Sequence, residues 1–279
     1  DGGQGLPAGL IPVQVHDVAA FGLDLALAAV CYGAAQVRVL ADGEEPEAYA
    51  AGLERQFSYG NDILAALGLG AERLGVLHED GSPAGALWTL PAAGQAIEAA
   101  TFQFSDDKRE ALDFAFTHLA AAAKAPPAEI PLPAGAPFGA VAVNERCTLC
   151  MSCVAACPAR ALLDTQEEPR LRFVERNCVQ CGLCRDTCPE SAITLVPRLS
   201  LRPEARQPRT LVEAQPFHCI KCGQAFGTDQ MVRAMLDRLA GHSMYAGDQA
   251  LRRLQMCADC RVIDMMETPD EMSMLGDRP

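Results

Sequence analysis

Two rhythms of apolar and polar positions alternate along the first 124 residues. The short runs LIPVQV (10–15), AQVRVLA (35–41) and ERLGVLHE (72–79) are rich in Val and Leu and close on turn or charged residues, which predicts strands. Between them the spacing lengthens to that of helices. In 49–67, Leu53, Phe57, Ile63, Leu64 and Leu67 fall near one face, and GLG at 68–70 supplies the stop. The stretch 106–124 has Ser105 as its expected N-cap, Asp106 and Asp107 in the first turn, and Leu112, Phe116 and Leu119 at helical spacing. Strands alternating with helices in this way predict a parallel α/β layer with right-handed crossovers. Cys31 falls on an apolar helix face and reads as a small core residue.

The pattern then changes. APPAEIPLPAGAPFG (125–139) places five prolines among small residues and predicts an extended linker, neither helix nor sheet. Beyond it, GAVAVN (139–144), LRFVERN (171–177) and AITLVPR (192–198) predict strands, with short helices beginning at AACPARAL (155–162) and DTCPESAI (186–193). Near the C-terminus, TDQMVRAMLDRLAG (228–241) predicts a helix with Thr228 as N-cap, Met231, Met235 and Leu239 on one face, and Gly241 as its stop. DQALRRLQM (248–256) continues in the same style. Residues 265–279 lack periodicity and are expected to be a mobile tail, or ordered only against a partner.

Composition narrows the function. A chain of 279 residues has room for two or three modules, although aromatic residues are only 5% of it, so Ala, Gly and Leu must do most of the packing. A net charge of −13 opposes binding to nucleic-acid phosphates and suits docking on basic patches of partner proteins. No apolar run approaches the roughly 20 residues that cross a bilayer, so no membrane span is expected. The first residue is Asp1, which suggests processing or a piece of something longer. Eight of the nine methionines follow residue 230, which makes that end soft and adaptable.

Cysteine changes the picture most. Twelve of the thirteen stand in Cys-x-x-Cys groupings, the spacing of metal thiolate sites, and thiols kept for metal favour the reducing cytoplasm. CTLCMSCVAACP supplies Cys147, Cys150, Cys153, Cys157 and Pro158; CVQCGLCRDTCP supplies Cys178, Cys181, Cys184, Cys188 and Pro189. Each is C-x2-C-x2-C-x3-C-P, in which three cysteines wrap one 4Fe-4S cubane and the fourth serves the other cluster. Cys147, Cys150, Cys153 and Cys188 are therefore expected on one cluster, and Cys178, Cys181, Cys184 and Cys157 on the other. Two zinc sites would leave a double run of eight cysteines unexplained, whereas purely structural clusters stapling a small fold remain a rival. Residues 147–198 resemble the bacterial dicluster ferredoxin family, which implies an α+β ferredoxin-like domain and one-electron transfer.

Cys219, Cys222, Cys257 and Cys260 form a second kind of set. Two separated Cys-x-x-Cys pairs, the first followed by Gly223, favour a tetrahedral structural zinc; a third iron-sulfur cluster and free redox thiols are the alternatives. His218 and His242 are lesser candidates as ligands. A metal there would clamp a helical hairpin.

The segment GAAQVRVLADGEEPEAYAAGLERQFSYGNDILAALGLGAERLGVL (33–77) is similar in order and texture to the iron-sulfur delta subunit of hydrogenase and heterodisulfide reductase systems. In that family the strand ends carry cysteines for a 2Fe-2S cluster. Here VHDV and VLADG carry none, so the resemblance implies a docking or scaffold domain without its own redox centre. GLGAERLG (68–75) is not G-x-G-x-x-G and follows a helix, which favours a helix cap and turn over a dinucleotide site.

The expected chain is multidomain: 1–124 α/β docking domain, 125–139 linker, 140–200 dicluster domain, 201–264 small helical module with a four-cysteine metal site, 265–279 tail. Its expected function is electron transfer through two 4Fe-4S clusters, within a soluble oxidoreductase complex whose other subunits or redox proteins are its partners. A flavin- or nicotinamide-binding oxidoreductase using residues 10–124 and a non-redox, metal-stabilised assembly or sensing protein are the alternatives. No nucleophile with a base, carboxylate pair or phosphate loop singles out a catalytic residue.

Overall fold

A computed structural model describes residues 5–41, 46–78, 87–90, 94–165, 169–245 and 247–267. The chain divides into two compact units, residues 1–139 with 197–205, and residues 140–196 with 206–279.

In the first unit, β1 (Val37–Ala41) and β2 (Leu74–His78) pair in parallel, joined by α2 (Glu47–Ala66). This is the expected strand–helix–strand unit. The apolar stripe of α2 buries Leu53, Phe57, Ile63 and Leu64, against which α1 (Leu23–Cys31) and α3 (Lys108–Ala122) add Leu27, Val30, Phe116 and Leu119. Burial of these side chains is the dominant stabilising term for the unit. Cys31 lies in this core with its sulfur 3.8 Å from the Ala115 carbonyl oxygen. The glycines after α2 end it as expected: Gly68 and Leu69 return their N–H groups to Ala65 and Leu64, with φ of 70° at Gly68 and 101° at Gly70.

Three expectations are corrected here. LIPVQV (10–15) forms no strand; its alternate residues Ile11, Val13 and Val15 are all exposed, and Pro12 removes a ladder donor from a run that no described strand pairs. The N-cap of α3 is Asp107, whose carboxylate accepts from the Glu110 N–H at 2.8 Å. Ser105 stands two residues earlier, accepting from the Asp107 N–H and donating to the Glu110 carboxylate.

The third correction is the largest. The proline-rich stretch is not a free linker: it carries β3 (Glu129–Pro131), antiparallel to residues 198–200, and buries Ile130, Leu132, Ala136 and Phe138 in the first core. Pro131 is tolerated because β3 is an edge strand and needs no donor on its open side. The ring of Phe138 meets Phe116 edge-on at 5.2 Å between centroids, and the Arg109 guanidinium lies 4.9 Å over it.

In the second unit, residues 140–143 of β4 (Gly139–Val143) lie beside residues 193–196 of β7 (Ile193–Ser200), and β5 (Leu162–Leu163), β6 (Arg170–Phe173) and β8 (Arg209–Glu213) form an antiparallel sheet. β8 extends the sheet of the dicluster segment with residues assigned by the sequence to the C-terminal module. The short helices α4 (Ser152–Ala155) and α5 (Leu183–Asp186) start earlier than expected and end before the fourth cysteine of each run.

The C-terminal part opens with the hairpin β9 (Pro216–His218) and β10 (Ala225–Thr228), followed by α6 (Asp229–Leu239), α7 (Asp248–Arg253) and α8 (Ala258–Glu267). Thr228 caps α6 as expected, accepting from the Met231 N–H at 3.1 Å. On α6 it is Val232 that is fully buried; Met231, Met235 and Leu239 are half-buried. Residues 265–267 belong to α8, and the rest of the expected tail lies outside the described residues.

Candidate metal centres

The two cysteine runs fold as copies of one loop, offset by 31 residues. Positive φ recurs at Leu149 and Gln180 (56° and 53°), at Met151 and Gly182 (60° and 83°), and at Arg160 and Ser191 (49° and 46°). Left-handed backbone at non-glycine residues costs about 1–2 kcal/mol each. Its repetition shows that both runs take the same turn at the same positions. The fourth cysteines match as well: the Ala161 N–H points to Cys157 Sγ and the Ala192 N–H to Cys188 Sγ, both at 3.3 Å.

The structure brings the eight sulfurs together in two sets. One small cavity is lined by Cys147, Cys150 and Cys153 of the first run and Cys188 of the second. The other is lined by Cys178, Cys181 and Cys184 with Cys157 of the first. Each set has one exposed member, Cys150 and Cys181 respectively. Burial, reinforced by neighbouring thiols, pushes Cys153 up to about 12 and Cys184 to about 11. Burial holds these thiols neutral in the absence of a cation, as it does Cys31; what sets them apart is that each stands among three other cysteines around one cavity. Gln180, inside the second loop, donates through Nε2 to the Ala140 carbonyl oxygen at 2.9 Å and to Cys178 Sγ at 3.3 Å. Hydrogen bonds to ligand sulfurs are among the influences that set cluster potentials. Gln180 went unremarked in the sequence, because an x position between cysteines carries no chemical signal of its own.

Cys219, Cys222, Cys257 and Cys260 also converge: their sulfurs all lie within 4.8 Å of one another, with Cys222 and Cys257 3.7 Å apart. The first pair sits on the turn after β9, where the Gly223 N–H returns to the Cys219 carbonyl at φ 76°, and the second at the start of α8. Thus the four residues tie a β-hairpin to a helix, a correction to the expected helical hairpin. Burial raises the Cys219 pKa, but the N–H groups of Cys257, Cys222 and Lys221 outweigh it and bring the thiol to about 6. Its neighbour Cys260 is driven to about 12, chiefly by its hydrogen bonds to Cys222 and Cys257. It is the convergence of four sulfurs within 4.8 Å of one another that suits a cation. His218 stands outside the set, its Nδ1 2.9 Å from the Gly223 carbonyl oxygen, and His242 Nδ1 accepts from the Met244 N–H.

A cleft of about 1170 Å³ in the first unit lies at the N-terminal ends of β1 and β2, lined by Gln36, Arg38, Arg73, His118 and Lys124 among others. Nucleotides in doubly wound sheets bind at the opposite, C-terminal edge. Arg73 is buried, and its guanidinium donates to the carbonyl oxygens of Leu69, Ala35 and Gln95 at 2.6, 3.0 and 2.7 Å. It braces the loop that ends α2.

No helix among the described residues is long and apolar enough to cross a membrane. No curated protein matches the chain. The family model for the 4Fe-4S dicluster domain matches residues 146–193, so this segment is an iron-sulfur, ferredoxin-like domain.

Proposed function

We propose that the chain is an electron-transfer subunit that relays single electrons through two 4Fe-4S clusters. One is held by Cys147, Cys150, Cys153 and Cys188, the other by Cys178, Cys181, Cys184 and Cys157. The observation that carries this reading is the pair of cavities, each lined by three cysteines of one run and the fourth of the other. Bound there, a cluster takes up and gives up one electron. The chain's own residues would exclude water with Leu171 and Ile193 at one site and with Phe173 and Leu162 at the other, and would direct N–H groups at the sulfurs.

For the C-terminal set we propose zinc. Four thiolates on one ion with metal–sulfur bonds of about 2.3 Å stand about 3.8 Å apart, close to the spacing of Cys222 and Cys257. A cubane places its own body between the thiolates and would need them spread beyond the 4.8 Å limit of this set. The first unit would serve as a docking module. Its similarity to the delta subunits directs the search for partners toward hydrogenase, formate dehydrogenase and heterodisulfide-reductase-like assemblies of the cytoplasm.

The test is anaerobic purification with iron, sulfide and zinc quantified per chain, and EPR of the dithionite-reduced protein. Roughly eight irons with one zinc and reversible cycling are expected. Clusters that do not cycle would end the electron-transfer reading, and about twelve irons without zinc would end the zinc assignment.

A further inference from the structure

Helix α6 and its N-cap reach one of the two cluster sites. The hydroxyl of Thr228 accepts from the Met231 N–H and donates to the carbonyl oxygen of Thr148 at 3.2 Å, which uses its single hydrogen and one lone pair. Thr148 lies between Cys147 and Cys150. Both threonines are buried, at 5% and 8% exposure, so water does not compete for the bond. At the other end of α6, Arg238 forms an ion pair with Glu190. Glu190 follows Cys188 and Pro189 and lines the same cavity. Helix α6 is thus pinned at both ends to the site of Cys147, Cys150, Cys153 and Cys188. In the 31-residue repeat, Thr148, whose backbone carbonyl takes the bond, corresponds to Val179, and Glu190 corresponds to Ala159, which has no side chain that can ion-pair. Val179 is 38% exposed.

The same helix depends on the four-cysteine centre. Thr228 ends β10, and β10 pairs with β9, whose last residue precedes Cys219. The centre ties that hairpin to α8 through Cys257 and Cys260. Releasing the tie frees the strand that aims Thr228 at Thr148.

We infer that the hairpin and helix α6 are a latch on one cluster: through Thr228 and Arg238, the four-cysteine centre holds the loop of Cys147, Cys150, Cys153 and Cys188 closed, and these two contacts do not reach the site of Cys178, Cys181, Cys184 and Cys157. The inference rests on the ligand sets and the bound metal proposed above. Thr228 and Arg238 act as positioning residues, and loss of the C-terminal metal becomes loss of one particular cluster. A relay so built would be disconnected at one end before its other cluster is damaged.

The test exposes the anaerobically purified full chain to a mild iron chelator in air and maps alkylated cysteines by mass spectrometry over time. The variants are Thr228→Val, Thr228→Ser and Arg238→Gln, with Cys222→Ser to disable the C-terminal centre. In Thr228→Val, which loses the Thr148 bond together with the helix cap, and in Cys222→Ser, which frees the hairpin, Cys147, Cys150, Cys153 and Cys188 should become labelled at least about fivefold to tenfold faster than in the wild type, the effect of removing the one net bond to Thr148 from a loop-opening equilibrium. The other four should keep their wild-type rate. Thr228→Ser should restore protection, and Arg238→Gln, at a largely exposed position, should show a smaller effect in the same set. Equal labelling of both sets, or no change in either, overturns the latch while wild-type iron and protection stay intact. Wild-type protein that neither carries about eight irons nor shields the eight cysteines overturns the ligand sets themselves, and the latch with them.

Discussion

Replacing Phe138 by Ala separates a core segment from a linker. In a linker the ring would be solvated, and its removal would cost no more than about 0.5 kcal/mol, as at most surface positions. The ring is instead 3% exposed, meets Phe116 edge-on at 5.2 Å, and lies 4.9 Å beneath the Arg109 guanidinium. Truncating a buried Phe to Ala costs about 3–5 kcal/mol, and the lost edge-on pair lies within that range. We take about 4 kcal/mol. With a urea dependence of about 2 kcal/mol per molar, the midpoint should fall by about 2 M. Trp88, the only tryptophan, belongs to the first unit, so its fluorescence follows that unit, while the iron-sulfur absorbance in the same samples follows the other. Phe138→Leu, which keeps most of the volume, should cost less than half as much. A midpoint that moves by less than about 0.3 M in Phe138→Ala would refute the placement of 125–139 in the core.

Other consequences follow from single residues. Arg73→Met would leave the Leu69, Ala35 and Gln95 carbonyls without their donor and should destabilise the first unit by about 2–4 kcal/mol, read from the Trp88 transition. Burial pushes Cys31 up to about 12, so native protein should leave it unalkylated at pH 8 while denatured protein labels it fully. The sign for stability is the same: the contribution of Cys31 is complete below the ordinary thiol value of 9.0 and is lost as pH rises from there toward about 12. Gly223→Ala meets no atom within 4 Å, so only the φ of 76° is penalised; if the four cysteines hold the zinc proposed above, its affinity in a competition titration should drop about fivefold to tenfold, for a cost near 1 kcal/mol.

What could be read from the sequence depended on how far apart the partners lie along it. Ligands spaced two and three residues apart declare themselves, because a loop that wraps a metal must return its sulfurs at that interval, and the offset of 31 residues makes the second loop legible from the first. The α2 stripe and its glycine stop were legible for the same local reason. In residues 125–139 the proline composition masks the burial pattern. Ile130 and Leu132 alternate with Pro131 and Pro133, which is the period of a strand, and an edge strand accepts the proline that a central one would reject. LIPVQV misleads in the opposite direction: the alternation is present, but no described strand pairs with it.

Long-range polar contacts left no trace of this kind. Thr228 looks like a helix cap in the sequence, and it is one; nothing in its neighbours announces the bond to Thr148, 80 residues earlier. The same holds for Arg238 and Glu190, ordinary surface charges until the fold sets one against the other. Cluster-binding loops can therefore be found by spacing alone, whereas a difference between two nearly identical loops must be sought in what packs on each. The repeat makes that search direct. Positions that match across the 31-residue offset carry the cysteines, and Glu190 against Ala159 marks a place where the rest of the chain distinguishes one loop from the other; at Thr148 the bond goes to the backbone carbonyl, so the difference from Val179 lies in burial, 8% against 38% exposed.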